Sequence, residues 1–345
     1  MKFGPVPLAE AAGLIAAHAV RADDTVLRKG QAISQEVVAR FEAAGLSEVV
    51  AARLEAGDIG EDEAARDLAR HLAGDGVEPA VPFTGRCNLH AEWAGVLRLA
   101  PDAVDAVNAV DEAITVATLP PYRPVAAGEM VATVKIIPYA VPGTLLGRAR
   151  QAAPSAPITV VPYRLTRVGV VSTLLPGLKD ATVDKTLRTL GRRLAPTGAG
   201  IVAERRVAHT SVAVADALSA LVETVGAEIA VIFGASAIAD RRDVIPSGIE
   251  AAGGRVDHLG MPVDPGNLLL VGALGGVPVI GAPGCARSPK ENGFDWVLHR
   301  LLAGLAVTRA DIVALGVGGL LTEIVSRPQP RAGGESAEEG AEEDV

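Results

Sequence analysis

Hydrophobic residues follow two alternating patterns through the C-terminal half of the chain. Short apolar runs with the length of buried strands occur at 167–173, 201–202, 229–233 and 256–259. Apolar residues spaced three or four positions apart, typical of amphipathic helices, occur between them at 183–194, 214–225 and 245–252. This alternation predicts a mainly parallel sheet with helices on both faces, a three-layer α/β/α domain.

The pattern changes at Gly275-Gly276, which separates two β-prone runs and predicts an antiparallel hairpin over 268–282. The stretch 268–286 is uncharged for nineteen residues, nominally enough to cross a bilayer. Its five glycines and two prolines favour the hairpin instead, so we predict no transmembrane segment. Apolar residues over 294–302 predict a closing helix.

The N-terminal half is less regular. Helical patterns and extended runs alternate there, at 34–44, 61–73, 114–118 and 130–139. This mixture predicts a mixed α/β or β-rich domain. The predicted division is an N-terminal domain at 1–165, the three-layer domain at 166–310, a C-terminal extension at 311–330 and a disordered acidic tail at 331–345.

Composition and charge narrow the possible functions. Hydrophobic residues make up 49% of the chain but aromatic residues only 3%, so Ala, Val, Leu and Gly must pack the core. The net charge is −9, and six acidic residues lie between Glu335 and Asp344. Because the folded part is then also mildly acidic, the composition argues against a basic face that binds nucleic acid.

Cysteine usage and the N-terminal residues bear on the compartment. Cys87 and Cys285 are too few for a disulfide framework and have no partner at zinc-finger spacing. This usage fits a reducing environment, so we expect a cytoplasmic protein. Pro5, Pro7 and Glu10 interrupt the apolar stretch that a signal peptide would need.

Three predicted loops leave the sheet at the carboxyl ends of its strands, where open α/β sheets bind ligands. The first contains Ser172 and Thr173, whose hydroxyls suit a phosphate or a ring edge, although a plain turn also explains them. The second contains Gly234, Ala235 and Ser236. Small residues there would let a ligand approach the backbone amides before the next helix.

Asp243 lies immediately before the helix that follows the second loop. Aspartate is a favoured helix N-cap, which is one interpretation of this residue. A carboxylate that binds Mg²⁺ or a polar edge of the substrate is the other, and spacing alone does not separate them. Asp243 and Asp240 are accordingly the candidate metal ligands, and Asp243 is the candidate catalytic residue.

The third loop opens with Pro283 and Gly284 and continues through Arg287, Ser288 and Lys290. A tight turn beside these polar and cationic side chains suits a phosphate, and solvated loop charges are the alternative. Two further residues stay open at this point. Cys285 is either a nucleophile or an inert thiol, and His209 is either a surface residue or part of the site.

These loops together resemble the molybdopterin-binding domain family of molybdenum-cofactor biosynthesis, which includes adenylyltransferases and molybdenum-insertion enzymes. The similarity is strongest over 234–246, where Arg-Arg-Asp-Val-Ile-Pro resembles the adenylyltransferase loop and Asp243 takes the place of its functional aspartate. The stretches 253–256 and 275–284 are similar to the insertion enzymes, and 27–30, 41–49 and 131–138 resemble them more faintly.

The chain also departs from that family's motifs. Thr-Gly-Asp-Glu after the first strand is replaced by Thr173-Leu174-Leu175-Pro176-Gly177, and Pro-Gly-Asn-Pro by Pro283-Gly284-Cys285-Ala286. The acid expected before the second helix is absent, with His209 in that region. The segment 83–90 stands where the insertion enzymes have Ser-Ala-Met-Asp-Gly-Tyr, and its polar residues either line a cleft between domains or form a hydrogen-bonded turn.

The resemblance implies a homo-oligomeric protein that binds molybdopterin or its nucleotide form and works with other molybdenum-cofactor enzymes. As an enzyme it would transfer a nucleotidyl group to molybdopterin or insert molybdate into it, with Mg²⁺ as the ion. The missing acids support a non-catalytic carrier or sensor that serves a separate cofactor nucleotidyltransferase. An ordinary nucleotide-cofactor enzyme is disfavoured, because no Gly-x-Gly-x-x-Gly follows a strand.

Overall fold

The computed structural model describes residues 1–321. The acidic tail predicted at 331–345 lies outside the described residues. So does the part of the predicted C-terminal extension from residue 322 to residue 330. The chain divides into two compact units. Unit 1 comprises Met1–Thr166 with Leu194–Ala199 and His299–Leu305, and unit 2 comprises Arg167–Arg193, Gly200–Leu298 and the chain from Ala306.

Unit 1 contains short strands arranged in several small sheets. The strands are β1 (Lys2–Pro7), β2 (Ile15–Ala16), β3 (Val20–Ala22), β4 (Thr25–Leu27), β5 (Glu48–Arg53), β6 (Asp58–Gly60), β7 (Val77–Pro79), β8 (Arg86–Ala91), β9 (Gly95–Arg98), β10 (Ile114–Thr118), β11 (Pro124–Val125), β12 (Met130–Ile136), β13 (Ala140–Pro142) and β14 (Thr159–Pro162). The helices are α1 (Gln35–Ala43), α2 (Glu61–Leu72), α3 (Pro101–Asn108) and α4 (Gly143–Ala152).

Two hydrophobic clusters organise unit 1. The sheet β1-β5-β2 packs with α1 around Leu27 and Phe41, and Ser34 caps α1 by accepting a hydrogen bond from the Val37 amide. A larger cluster around Leu68 and Leu89 joins α2 to the sheet β10-β12-β8-β7. The remaining strands pair as β11-β9-β14, β13-β6 and β3-β4, so the predicted mixed, β-rich character of this half is confirmed.

Unit 2 contains the α/β alternation predicted from the sequence. Its strands are β15 (Arg167–Leu174), β16 (Gly200–Ala208), β17 (Ile229–Phe233), β18 (Arg255–Leu259), β19 (Leu270–Leu274) and β20 (Val277–Ala282). The helices that begin in it are α5 (Asp180–Leu194), α6 (Ser211–Ser219), α7 (Val244–Ala251), α8 (Gly293–Leu302) and α9 (Arg309–Val313).

The sheet of unit 2 has the order β16-β15-β17-β20-β19-β18. The first four strands are parallel, and β19 and β18 complete the sheet in antiparallel pairing. The α/β fold class is confirmed, and so is the hairpin, because Gly275 and Gly276 form its turn with φ of 56° and 86°. The run at 256–259, predicted as part of the mainly parallel sheet, forms β18. This strand lies at the edge of the sheet and pairs antiparallel with β19 of the hairpin.

The central strand β17 is buried along its whole length, so both faces of the sheet are covered. Val214 of α6 and Ile245 of α7 pack in one cluster with Ala230 and Ile232, which defines the face that these two helices cover. Within the described part of the chain, no helix is long and apolar enough to cross a membrane.

Candidate functional site

The carboxyl ends of β15, β17 and β20 lie side by side. Ser172 on β15 is opposite Phe233 on β17, and Phe233 is opposite Ala282 on β20. Because these strands are parallel, the three loops that follow them leave the same edge of the sheet. The candidate loops are therefore neighbours in space.

A hydroxyl joins the first loop to the second. Thr173 is 2% exposed, and its Oγ1 accepts a hydrogen bond from the Ala235 amide at 2.7 Å. The same oxygen lies 2.9 Å from Nδ1 of His209, which immediately precedes α6 with its N-cap Thr210. His209 thus belongs to this edge of the sheet, a point that its position in the sequence left open.

A guanidinium joins the third loop to the second. Arg287 donates to the Gly234 carbonyl at 2.7 Å and to Oγ1 of Thr186 in α5 at 3.2 Å. Its Cζ lies 5.6 Å from the centre of the Phe233 ring, a cation–π contact. Burial lowers the pKa of Arg287, but arginine stays protonated in proteins. A fixed positive charge therefore lies at the ends of the strands.

Several polar groups near this charge have no protein partner. Within residues 1–321, the amides of the exposed residues Ser236 and Ala237 donate no hydrogen bond. The buried Oγ of Ser172 also has no partner in this part of the chain. The Lys290 side chain is exposed and makes no ion pair there. Amide donors and cations are the groups that bind phosphate oxygens.

Arg193, at the end of α5, makes hydrogen bonds that hold the third loop, and it was not among the residues predicted for the site. Its guanidinium donates to three loop carbonyls, those of Ala286 at 2.9 Å, Ser288 at 2.6 Å and Lys290 at 3.0 Å. It also forms a buried ion pair with Asp295. The direction of a side chain toward a distant loop has no signature in sequence, so this role was not predictable.

Asn292 and Asp295 fix the start of α8. The Asn292 amide donates to Oδ2 of Asp295 at 2.8 Å, and Oδ1 of Asn292 accepts from the Phe294 amide at 3.2 Å. The Asn292 side chain also donates to the carbonyls of Cys285 and Lys290. An Asn followed three residues later by an acid is a helix-start signature, so the sequence did contain a signal here.

The remaining candidates in the third loop have defined environments. Pro283 is buried, Gly284 is exposed, and the Ser288 hydroxyl accepts from the Lys290 amide at 3.3 Å. Burial raises the pKa of the Cys285 thiol, and its Sγ lies 3.6 Å from Oδ1 of Asn292. A raised pKa makes Cys285 a poor nucleophile, which favours the inert interpretation.

Asp243 is the N-cap of α7. Its Oδ1 accepts from the Val244 amide at 2.7 Å and its Oδ2 from the Ala239 amide at 3.2 Å. The capping interpretation is therefore correct, and it leaves each oxygen with further lone pairs. Asp240 is paired instead with Arg242, whose hydrogen bonds lower the pKa of Asp240. In residues 1–321, no group of three or more His, Cys, Asp and Glu side chains could hold a metal ion.

Comparison with known proteins gives the following matches. Residues 5–53 match a family model described as "Domain of unknown function (DUF8806)", and no curated protein matches the chain. A molybdopterin biosynthesis MoeA protein from Pyrococcus horikosii is 15% identical, with 88% of this chain and 75% of that chain covered and a TM-score of 0.31. The molybdopterin biosynthesis enzyme MoaB from Thermus thermophilus is 16% identical, with 41% and 98% covered and a TM-score of 0.29.

Proposed function

We propose that unit 2 binds molybdopterin and takes part in the biosynthesis or handling of the molybdenum cofactor. The observation that carries this proposal is the joining of the three strand-end loops by two contacts, from Ala235 to Thr173 and from Arg287 to Gly234. The loops joined in this way are the ones whose residues resemble the molybdopterin-binding domain. Among residues 1–321, this arrangement leaves the amides of Ser236 and Ala237 without an acceptor, close to the cation of Arg287.

The phosphate of molybdopterin fits these groups. The amides of Ser236 and Ala237 would donate to its oxygens, and Arg287 and Lys290 would offset its charge. The Ser172 hydroxyl, which has no partner in the described part of the chain, is a further candidate donor at the same strand end. Gly234, Ala235 and Gly284 would allow the ligand to approach the backbone.

Mg²⁺ would bind here together with a phosphate-bearing ligand. This ion is usually held by one or two carboxylates plus substrate phosphates, so a dedicated cluster of protein ligands is not required. Asp243 is the stronger candidate of the two carboxylates, because Asp240 is already occupied by Arg242. The ion would supply charge stabilisation for nucleotidyl transfer to molybdopterin, or for molybdate insertion into it.

A non-catalytic carrier is the second candidate. Both carboxylate oxygens of Asp243 accept hydrogen bonds from backbone amides. This favours the carrier, because capping α7 is a sufficient role for Asp243 and requires no catalysis. Such a carrier would hold the pterin for a separate cofactor nucleotidyltransferase. Both candidates need the same binding site and differ in whether a reaction occurs there.

Binding is tested first, by titrating the purified protein with molybdopterin and following pterin fluorescence. Arg287→Lys and Lys290→Met should each weaken binding by about tenfold, the loss of one charge-assisted hydrogen bond. Lys185→Met is the matched control, because Lys185 is exposed on α5 outside these loops. Absence of binding, or equal affinities for all variants, would contradict the proposal.

Turnover then separates the enzyme from the carrier. The protein is incubated with molybdopterin, Mg-ATP or Mg-CTP, and molybdate, and the products are analysed. Asp243→Asn keeps an N-cap residue but removes the charge, so it should abolish Mg²⁺-dependent turnover while leaving stability nearly unchanged. Pterin binding without any product identifies a carrier. Light scattering of the same sample tests the proposed homo-oligomer.

A further inference from the structure

Unit 1 contains a cavity of about 670 Å³, a volume typical of small-molecule sites. Its lining includes three segments that are distant in sequence. Lys29 and Gly30 follow β4, and Thr84 and Arg86 lie at the start of β8. Lys135 lies at the end of β12, and Ile137, Pro138 and Tyr139 follow that strand. Every lining residue belongs to unit 1, so this cavity is separate from the strand-end loops of unit 2.

The segment 83–90 contributes to this wall through a tight turn. The Phe83 amide donates to the Arg86 carbonyl and the Arg86 amide to the Phe83 carbonyl, both at 2.9 Å. Thr84 and Gly85 between them have φ of 46° and 71°, the left-handed geometry of a two-residue hairpin turn. Of the two interpretations of this segment, the hydrogen-bonded turn is therefore correct, and its residues Thr84 and Arg86 also line the cavity.

The charges in the cavity do not cancel. Lys135 donates to the Thr84 carbonyl at 2.5 Å and lies 3.5 Å from Oε2 of Glu61, so these two opposite charges are matched. The side chains of Lys29 and Arg86 form no hydrogen bond or ion pair among the described residues. Met1 also lines the cavity, but its ammonium is paired with Glu55 and Asp58. The positive charges of Lys29, Arg86 and Lys135 therefore exceed the negative charge of Glu61 by two, in a concave surface that concentrates anions.

The rest of the wall is largely apolar. Phe3 and Ile137 line the cavity and are each 58% exposed, so their apolar surface is accessible to a ligand. The Tyr139 hydroxyl donates to the Ala17 carbonyl at 3.1 Å, which fixes the orientation of its ring. Apolar and aromatic walls with a few convergent charged groups are typical of sites that bind an organic ligand.

We propose that this cavity binds an organic phosphate monoester, with the phosphate at Lys29 and Arg86 and a planar ring against Phe3, Ile137 and Tyr139. A monoester carries close to two negative charges at neutral pH, which matches the two unpaired cations. A neutral ring alone would leave these cations unmatched, and inorganic phosphate alone would leave the apolar wall exposed.

Isothermal titration with AMP, adenosine and inorganic phosphate tests this proposal on the full chain. AMP should bind at least tenfold more tightly than adenosine or phosphate, and its affinity should fall as salt is raised. Lys29→Met and Arg86→Met should each weaken AMP binding by about tenfold. Arg28→Met and Arg98→Met are the controls, because both arginines are exposed in unit 1 and do not line the cavity.

Hydrogen exchange with and without AMP locates the site. Slower exchange over 28–31, 83–86 and 135–139 supports the cavity. No AMP binding, unchanged affinity in Lys29→Met and Arg86→Met, or protection confined to 234–243 would overturn it. The last outcome would place AMP at the loops of unit 2, so a failure of this proposal is distinguishable from a failure of the molybdopterin proposal.

Discussion

Nε of Arg193 lies 2.5 Å from Oδ1 of Asp295, and the two side chains are only 7% and 11% exposed. The ion pair links the end of α5 to the first turn of α8. The remaining guanidinium nitrogens hold the carbonyls of the third loop. A buried charge that loses its partner is strongly destabilising, so the stability of unit 2 should depend on both members of this pair.

Arg193→Met should therefore lower the free energy of unfolding by about 3–5 kcal/mol, measured by urea denaturation. The substitution leaves Asp295 buried without its partner and releases three loop carbonyls. Arg192→Met is the matched control, since Arg192 is exposed on the same helix, and it should change stability by less than about 0.5 kcal/mol. Equal stabilities of the two variants would contradict a structural role for the ion pair.

Thr173→Val should lower the free energy of unfolding by about 1 kcal/mol. Valine keeps the shape of threonine but removes the oxygen that accepts from the Ala235 amide and contacts His209. Thr173→Ser retains this oxygen and should recover most of the loss. Molybdopterin affinity measured on the same variants should follow the order wild type, Thr173→Ser, Thr173→Val. An unchanged Thr173→Val would show that the loops do not depend on this hydroxyl.

Gly248→Ala should destabilise unit 2 by about 1–3 kcal/mol, although alanine is the better helix former. A Cβ at Gly248 would lie 2.6 Å from Cγ1 of Val214 and 3.0 Å from the Ser211 carbonyl, where α7 crosses α6. Gly191→Ala in α5 is the control, because nothing lies within 4 Å of its Cβ position. That variant should gain about 0.5–1 kcal/mol. Thermal and urea unfolding of both variants test the contrast.

The periodicity of unit 2 was sufficient to predict most of its elements. The run at 229–233 coincides with β17, and Gly275-Gly276 forms the predicted turn. Such features are local, since strand length, helix period and turn residues depend on neighbours in sequence. The antiparallel edge position of β18 was not predictable, because strand order depends on contacts between segments far apart in the chain.

The same limit applies to the candidate site. The sequence identified which loops leave the sheet edge, and rules for parallel sheets placed them together. It did not identify the contacts of Arg193, nor whether Asp243 caps a helix or binds a ligand. Those points depend on the direction of each side chain. In the structure, the Arg193 guanidinium donates to carbonyls of the third loop, and the Asp243 carboxylate accepts from two backbone amides.

The stability of unit 1 should respond to the charge of Glu61. Burial raises the pKa of Glu61 above its ordinary value of 4.5, with the charge of Lys135 acting in the opposite direction. The folded state then binds the proton more tightly than the unfolded state. The resulting stabilisation is complete below about pH 4.5 and is lost as pH rises through the folded-state pKa.

Glu61→Gln removes this titration. The free energy of unfolding of Glu61→Gln, minus that of wild type, should therefore become more positive as pH rises from the ordinary glutamate pKa of 4.5 toward neutrality. Urea denaturation at half-unit pH steps measures the difference. Glu63→Gln is the matched control for the loss of one carboxylate, because Glu63 is exposed in the same first turn of α2. A falling difference for Glu61→Gln would mean that the pairing with Lys135 outweighs the cost of burial.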